Sequence, residues 1–204
     1  MIHKNIVTSF CREEYEPNVD PSAFVHPLAA VIGQVSIGAK VMVAPGASVR
    51  GDEGMPLHVG DESNVQDGVV IHGLVTERGG REVEGNCAEA GGKKFAVYVG
   101  CRVSLAHQCQ IHGPAYVGDG CFIGMQSFLF RSRIGKGCVV EPKCLLMGVH
   151  VPEGRYVPAG SLVKEQKEAD ALPVIDDKYP LKELNSGVVR VNIELAEGYL
   201  KAGL

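Results

Sequence analysis

VGCRVSLAHQCQIHGPAYVGDGCFIGMQSF, the stretch of residues 99–128, carries an aliphatic residue at every sixth position. These marker residues are Val99, Leu105, Ile111, Val117 and Ile123. A period of six is neither the 3.6 of an α-helix nor the 2 of a single strand. With small and turn residues between the markers, it is typical of a parallel β-helix. Each hexad then forms one flat face of a three-sided coil, and three hexads bring the chain back about 4.8 Å along the axis.

The same hexad frame divides the chain into parts. It runs from Val25 to Lys164 and is interrupted over residues 73–98. We therefore predict one all-β domain, a hexapeptide-repeat parallel β-helix over residues 25–164 that follows an N-terminal segment of residues 1–24. The interruption contains two Gly-Gly pairs and mixed charges, which predicts a long surface loop.

The tail of the chain has no hexad frame. Residues 165–204 are predicted to form a polar linker and a C-terminal α-helix packed along the β-helix, because apolar side chains recur there at helical spacing. We expect Ser186 and Gly187 to cap this helix at its amino end. Its predicted apolar stripe consists of Val188, Val191, Leu195 and Tyr199.

The composition excludes several classes of partner. The chain has 204 residues, of which 45% are hydrophobic, and a formal net charge of -4. It therefore lacks the basic surface that nucleic-acid binding needs. Its first residues contain no apolar run of signal-peptide or membrane-span length, and its seven cysteines follow no disulfide spacing. We expect a cytoplasmic protein that binds neither nucleic acid nor a membrane.

Three histidines hold related positions in the hexad frame. His72 and His112 each follow their marker by one residue, and with residues 73–98 as an insert they lie one coil apart on the same edge. About 4.8 Å between their backbones lets both imidazoles reach one metal ion. His107 follows its marker by two residues and lies one corner round the prism. It can reach that metal only from a neighbouring chain, which predicts a homotrimer with its sites at the subunit interfaces.

Polar residues share these two edges. Arg50 is predicted one coil below His72, on the same edge. Gln66 is predicted beneath the coil of His107, so that both enter a neighbour's site together. Asn192 falls on the apolar stripe of the C-terminal helix, where a polar side chain is either hydrogen-bonded in the interface or directed into a site.

The ligand set indicates a catalytic metal. Three neutral histidines with an open fourth position are typical of catalytic zinc, whereas structural zinc prefers four closed ligands, usually including cysteine. Such a metal lowers the pKa of its bound water to about 7, and the resulting hydroxide attacks a small electrophile. Zinc is the expected cofactor, and imidazole ligands also suit iron(II) and cobalt.

Five stretches of the chain resemble the gamma-class carbonic anhydrases. They are SVRGDEGMP (48–56), VGDESNVQDGVVIHG (59–73), SLAHQCQIHGPAYVGD (104–119), FIGMQSFLF (122–130) and VVRVNIELAEGY (188–199). The resemblance implies a left-handed β-helix, a handedness opposite to the usual crossover rule. It also implies an enzyme in which metal-bound hydroxide attacks CO2 and gives bicarbonate and a proton. The metal ligands would be His72, His107 and His112.

The resemblance also implies roles for the surrounding polar residues. Gln66 would orient or polarise the metal-bound hydroxide and bicarbonate, Asn64 would support the site by hydrogen bonding, and Asn192 would lie near the CO2 pocket. Glu53 matches an acidic residue on the path by which the proton leaves. The residues that would tie the trimer together are Arg50, Asp52 and Asp67.

Two positions depart from the family pattern. Three residues after the first histidine ligand, where the family carries a glutamate that shuttles protons, this chain has Val75. Two residues before Asn192, where the family has a tyrosine, it has Arg190. We expect the first change to limit turnover unless Glu53 with a loop glutamate such as Glu77 carries the proton. The second change is expected to alter only the rim of the pocket.

Two other functions fit a hexapeptide-repeat fold. An acyltransferase would bind coenzyme A between prisms and use one histidine as a general base, but it does not require three histidines in this relation. A non-catalytic scaffold would resemble the anhydrase-like amino-terminal domain of a carboxysome assembly protein. Repeated interaction modules would then follow the predicted helix, and this sequence contains none.

Overall fold

The chain winds into a left-handed parallel β-helix with three flat faces, in a computed structural model that describes residues 1–203. Each face is a parallel sheet, and we name the three sheets faces A, B and C. The strands of face A are Ile2–His3, Ala30–Gly33, Ser48–Gly51, Val70–His72, Gln110–His112, Phe128–Phe130, Leu145–Met147 and Leu162–Val163. Those of face B are Asn18–Val19, Val35–Ile37, Leu57–Val59, Val97–Val99, Ala115–Val117, Arg133–Ile134 and His150–Val151. Those of face C are Phe24–Val25, Met42–Val43, Asn64–Val65, Ser104–Leu105, Phe122–Ile123, Val139–Val140 and Tyr156–Val157.

The marker residues of the hexads form the core. On face A, Val49, Ile71, Ile111 and Leu129 stack in register on consecutive coils, and each is at most 1% exposed. Fully burying one such side chain contributes roughly 1.5–3 kcal/mol. Because each hexad supplies one inward aliphatic residue, this contribution recurs on every face of every coil. The register confirms the predicted hexapeptide-repeat fold.

The β-helix begins earlier than the hexad frame suggests. Two short strands, Ile2–His3 and Asn18–Val19, pair with the first full coil on faces A and B. The segment of residues 1–24 therefore covers the amino end of the prism.

The insert after His72 carries regular structure that the sequence analysis does not predict. Two antiparallel hairpins form in it, Glu77–Arg78 with Arg81–Glu82 and Ala88–Ala90 with Lys93–Phe95. The second hairpin packs against face B, and Arg131 Nη2 donates to Asn86 Oδ1 at 2.9 Å. The insert is thus folded back onto the prism.

Two helices follow the last coil. Helix α1 spans Gln166–Asp170 and helix α2 spans Leu184–Ala202. Helix α2 begins four residues before Val188, and its N-cap is Glu183, so the predicted cap at Ser186 is wrong. Asn185 anchors the first turn, because its Nδ2 donates to the carbonyl oxygens of Arg102 and Gly120 at 2.9 Å each. Neither helix in residues 1–203 is long and apolar enough to cross a membrane.

Helix α2 packs along face C, and two of the four residues of its predicted stripe, Val188 and Tyr199, pack against this face. Its buried residues are Asn185, Val189 and Ala196, while Val191 and Leu195 are about half exposed. The small Ala196 lets the helix approach Phe24 and Met42 closely, and Tyr199 stacks on Phe24 with ring centroids 4.8 Å apart. The prediction of Val191 and Leu195 as packing residues is therefore wrong by one helical position.

Candidate metal centre

His72 and His112 stack on neighbouring coils at the edge where face A passes into face B. The parallel register pairs His72 with His112 and, on the coil below, His72 with Arg50. The two imidazole centroids are 5.5 Å apart and their planes are nearly perpendicular. Phe130 lies in register above His112 with the same centroid distance of 5.5 Å. The edge therefore presents two adjacent imidazoles between a guanidinium and an aromatic ring.

Two carboxylates lie beside His72. Its Nε2 is 3.1 Å from Asp52 Oδ1 and 3.7 Å from Glu53 Oε1. Arg50 Nη2 lies 3.2 Å from the same nitrogen, and Arg50 Nη1 lies 3.3 Å from Asp52 Oδ2. Burial raises the pKa of Asp52, but the hydrogen bond with His72 and the charge of Arg50 outweigh burial and hold the pKa below its usual value. Asp52 is therefore an ionised partner of both Arg50 and His72.

His107 lies at the other edge of face A, where face C passes into face A. Its side chain is 53% exposed, and its Nδ1 is 3.0 Å from Asp67 Oδ2. Asp67 thus pairs with His107 within the chain, on the edge away from Arg50. Within residues 1–203, no three histidine, cysteine or carboxylate side chains converge on a point that could hold a metal ion. The three histidines are divided two and one between the edges of a single sheet.

A hydrogen-bonded chain of three polar side chains lies beside His107. Gln66 Nε2 donates to Asn64 Oδ1 at 2.9 Å, and Asn64 Nδ2 donates to Ser104 Oγ at 2.9 Å. Gln66 is 8% exposed, and Asn64 and Ser104 are fully buried. Ser104 was not among the predicted site residues, although the hexad frame places it one coil above Asn64.

An apolar cavity of about 270 Å³ opens beside Gln66 and His107. Helix α2 forms one wall of this cavity, and the coils that carry Phe122 and Val139 form another. Its other apolar lining residues include Met125, Leu181, Leu184 and Val188. A small uncharged molecule fits such a space better than a charged one, because a charge would lose its hydration there.

The donor atoms of two histidines fit a metal. His112 Nδ1 lies 3.3 Å from the Gly113 carbonyl oxygen, and His107 Nδ1 lies 3.0 Å from Asp67. A hydrogen bond from Nδ1 to an acceptor fixes the neutral tautomer and leaves the Nε2 lone pair for a metal ion. His72 differs, because its Nε2 contacts Arg50 and Asp52. Ligation through that nitrogen requires those two side chains to turn away.

Comparison with known proteins identifies the family, although no family model matches the chain. A protein named carbonic anhydrase from Methanosarcina thermophila is 55% identical over 199 residues, which are 97% of this chain and 81% of that protein. This chain belongs to the gamma-class carbonic anhydrases. A carboxysome assembly protein, CcmM from a Nostoc species, is 44% identical over 96% of the chain, but the chain spans only 33% of that protein's length.

Solved structures with the same fold come from hexapeptide-repeat transferases. A hexapeptide transferase family protein from Anaplasma phagocytophilum superposes with a TM-score of 0.67 and 25% identity, over 91% of this chain and 93% of that chain. A putative acetyltransferase from Bacillus cereus gives a TM-score of 0.72 at 19% identity, over 98% and 96% of the two chains. The second likeness concerns the fold alone.

Other residues that the sequence analysis singled out make contacts within the chain of this gamma-class carbonic anhydrase. Asn192 is half-buried and donates from Nδ2 to the Val188 carbonyl of its own helix at 2.9 Å. Arg190 is exposed and lines a separate groove with Glu62 and Arg102. The carboxylate of Glu77 is 3.1 Å from Arg12 Nε, so this loop glutamate is engaged in an ion pair. Of the two carboxylates beside His72, Asp52 is paired with Arg50, which leaves Glu53 as the candidate to carry a proton.

Proposed function

We propose that this chain hydrates carbon dioxide to bicarbonate and a proton at a metal held between two subunits of a homotrimer. The observation that carries the proposal is the division of the histidines, with His72 and His112 on one edge of face A and His107 on the opposite edge. A threefold rotation that places face A toward the axis brings the His72–His112 edge of each subunit to the His107 edge of its neighbour. Each interface then holds one complete set of three ligands.

The covering of the faces supports this trimer. Helix α2 covers face C, and the hairpin of residues 88–95 packs on face B. Face A remains for a neighbour, and its outward side includes half-buried Phe128, Phe130, Leu145 and Met147. Packing these apolar side chains around the axis would remove them from water and stabilise the assembly.

Zinc is the proposed cofactor, with iron(II) and cobalt as ions that the same imidazole ligands accept. The bound ion supplies Lewis acidity, which lowers the pKa of a coordinated water to about 7. His72 and His112 of one subunit and His107 of its neighbour would hold it, with Asp67 fixing the tautomer of His107. No cysteine enters this set, which agrees with an open catalytic site rather than a closed structural one.

Gln66 and the apolar cavity would bind the reactants. Gln66 donates to Asn64, which leaves its carbonyl oxygen as an acceptor beside His107. The cavity next to both residues suits carbon dioxide, which is small and uncharged, and Asn192 on helix α2 would border it. Bicarbonate is charged and would be expelled from the apolar wall, so the same surface favours release of the product.

Proton release would depend on Glu53. Its carboxylate lies 3.7 Å from His72 and is about a quarter exposed, so it can take a proton near the site and pass it to solvent. Val75 stands where the family has its shuttle and can carry no proton. Arg50 and Asp52 lie on the same edge and would meet Asp67 of the neighbouring subunit, which would tie the trimer seam.

A cytoplasmic location is part of the proposal. All seven cysteines are free thiols, and Cys109, Cys121, Cys138 and Cys144 are buried. Free thiols are typical of a reducing compartment. The acyltransferase alternative has the shared fold in its favour, whereas the divided histidine set and the 55% identical relative favour the anhydrase.

The direct test measures metal content and activity on the same anaerobically purified protein. We expect about one metal ion per chain and CO2 hydration that chelation abolishes and zinc or iron(II) restores. Protein that holds metal at this stoichiometry as a trimer but does not hydrate CO2 would contradict the proposal. Acetyl transfer by metal-free protein would favour the acyltransferase.

A further inference from the structure

Face C carries a polar pair in a column of side chains that is otherwise apolar. Parallel register places Met42, Asn64, Ser104 and Phe122 on consecutive coils along the outward side of this face. Asn64 and Ser104 are fully buried, and Met42 and Phe122 on either side are each 4% exposed. Burying two polar side chains between apolar ones costs free energy that hydrogen bonding only partly offsets. The packing of helix α2 on this face would be served equally well by apolar side chains, so packing does not explain the pair.

The hydrogen bonds of the pair lead to the site. An amide side chain donates from its nitrogen and accepts at its oxygen, so each bond fixes one end of it. Ser104 accepts from Asn64 Nδ2, which directs Asn64 Oδ1 toward Gln66 Nε2. With Nε2 engaged, Oε1 is the acceptor that Gln66 keeps, and Gln66 is one of the residues that line the cavity next to His107. The arrangement of the Gln66 amide is therefore coupled to a hydrogen bond two side chains away, in which the Ser104 hydroxyl acts as the acceptor.

We propose that Ser104 is a positioning residue, which fixes the Asn64 amide and through it makes Gln66 present an acceptor oxygen to the site. The inference deepens the proposed function and rests on it, because the role of Gln66 is part of that function. Without the Ser104 hydroxyl, the buried Asn64 Nδ2 would lose its acceptor. The Asn64 amide could then flip, offer Nδ2 to Gln66 and reverse the Gln66 amide as well.

The test compares Ser104→Ala with Ser104→Thr, which restores the hydroxyl, and with a matched control, Ser127→Ala. Ser127 is also a buried serine with two hydrogen bonds, since its Oγ donates to the Glu141 carbonyl and accepts from the Cys144 amide, each at 3.0 Å. It bridges two coils without joining the chain to Gln66. The control therefore reports the loss of a buried serine hydroxyl without loss of the Asn64 anchor.

Ser104→Ala should lower kcat/KM for CO2 hydration by about 10-fold or more, as supporting residues around metal sites commonly do, while metal content stays at the wild-type level. Ser104→Thr should recover most of the activity, and Ser127→Ala should lower Tm but keep kcat/KM. In a Gln66→Ala background, Ser104→Ala should have no further effect on kcat/KM. Equal losses in Ser104→Ala and Ser127→Ala, or a full additional loss in the Gln66→Ala background, would overturn the inference.

A second readout does not depend on activity. In metal-free protein, the side-chain amide ¹H–¹⁵N signals of Gln66 should shift in Ser104→Ala and stay in place in Ser127→Ala. A wild-type trimer that holds metal but is inactive toward CO2 defeats the proposed function, and these signals still decide whether Ser104 positions Gln66. Unchanged Gln66 signals in Ser104→Ala overturn the inference even in an active enzyme.

Discussion

His72 and His107 lie on opposite edges of face A, with the width of the sheet between them. His72 ends the strand Val70–His72, and His107 precedes the strand Gln110–His112 on the next coil. Residues 110–112 are extended with a rise of about 3.3 Å per residue and His107 lies in the turn before them, so the two edges are on the order of 10 Å apart and face different corners of the prism. Zinc–nitrogen bonds are about 2.0–2.1 Å long. One chain therefore cannot bring both histidines to one metal ion.

Mixed trimers test this division of ligands between chains. Chains with His107→Ala and chains with His72→Ala should each be inactive alone, and co-expression should restore activity. In random 1:1 assembly about one quarter of the interfaces pair an intact His72–His112 edge with an intact His107 edge. The control combines His72→Ala with His112→Ala chains, in which no interface is complete. Activity in the control, or none in confirmed mixed trimers of the first pair, would show that the ligands are not shared in this way.

Metal content should distinguish variants of the metal ligands from variants of the supporting residues. His112→Ala should lose both metal and activity, because it removes one of two stacked ligands. Gln66→Ala should keep the metal and lower kcat/KM by about 10-fold or more, since its side chain supports the site without holding the ion. Metal analysis and stopped-flow CO2 hydration measure both effects on the same preparations. Full activity in Gln66→Ala would remove this residue from the site.

Asn185 should stabilise the attachment of helix α2 to the β-helix. Its side chain bonds the carbonyls of Arg102 and Gly120, which belong to two coils, and it is 8% exposed. Asn185→Ala leaves buried carbonyl groups without that donor, which costs about 1–3 kcal/mol. Thermal unfolding should show a clearly lower Tm than Ser186→Ala, whose serine is exposed and bonds only to Glu183. Equal Tm values for the two variants would contradict the anchoring role.

His58 should make the fold less stable in mild acid. Burial lowers its pKa, with Asp61 opposing the shift, and its ring stacks on Tyr98 with centroids 5.1 Å apart. Because the unfolded chain titrates near the ordinary value of about 6.5 and the folded chain lower, the unfolded state binds more protons below pH 7. Stability from neutral His58 is thus complete above about pH 7 and falls as the pH drops through the folded pKa.

The measurement for His58 is Tm against pH from 8 to 5 for wild type and His58→Phe, which keeps a ring for stacking but does not titrate. The fall in Tm from pH 8 to pH 5 should be smaller for the variant than for the wild type. The exposed His150 provides the control, because His150→Phe should leave the slope unchanged. Parallel curves for wild type and His58→Phe would exclude His58 as the titrating group.

The hexad period predicts the register of the site because each hexad has one inward residue and a slip would bury the wrong side chain. Counting from the markers is then enough to stack Arg50, His72 and His112 on one edge. The handedness of the coil could not be predicted by spacing, since a right-handed coil would have the same period. It came from the family resemblance alone.

The contacts outside the hexad frame were not predictable in the same way. Val191 and Leu195 are as apolar as Val189 and Ala196, and the choice of buried stripe depends on how closely the helix can approach Phe24 and Met42. The hairpins of the insert are short and have no repeating pattern. Ser104 resembles any other small residue of the repeat until its hydroxyl is seen to accept from Asn64.

The valine side chain at position 75 should limit turnover. Each hydration releases a proton, and a positioned group that carries it is worth roughly 10²–10⁴-fold. Val75 is half-buried, its carbonyl accepts from Asn86 Nδ2 at 2.8 Å, and its side chain cannot carry a proton. Glu77 is engaged by Arg12 and Asp52 by Arg50, so Glu53 is the carboxylate left to carry a proton near His72. We therefore expect a kcat that rises with buffer concentration, because buffer replaces the missing shuttle.

Val75→Glu should raise kcat at low buffer and leave kcat/KM nearly unchanged, since the attack on CO2 precedes proton release. Glu53→Gln should lower kcat at low buffer, and added imidazole buffer should restore much of it. Steady-state CO2 hydration against buffer concentration for the wild type and both variants provides the measurement, with Glu77→Gln as the matched control that changes little. A wild-type kcat that is already independent of buffer, and is unaffected by Val75→Glu and Glu53→Gln, would show that proton transfer at this edge does not limit turnover.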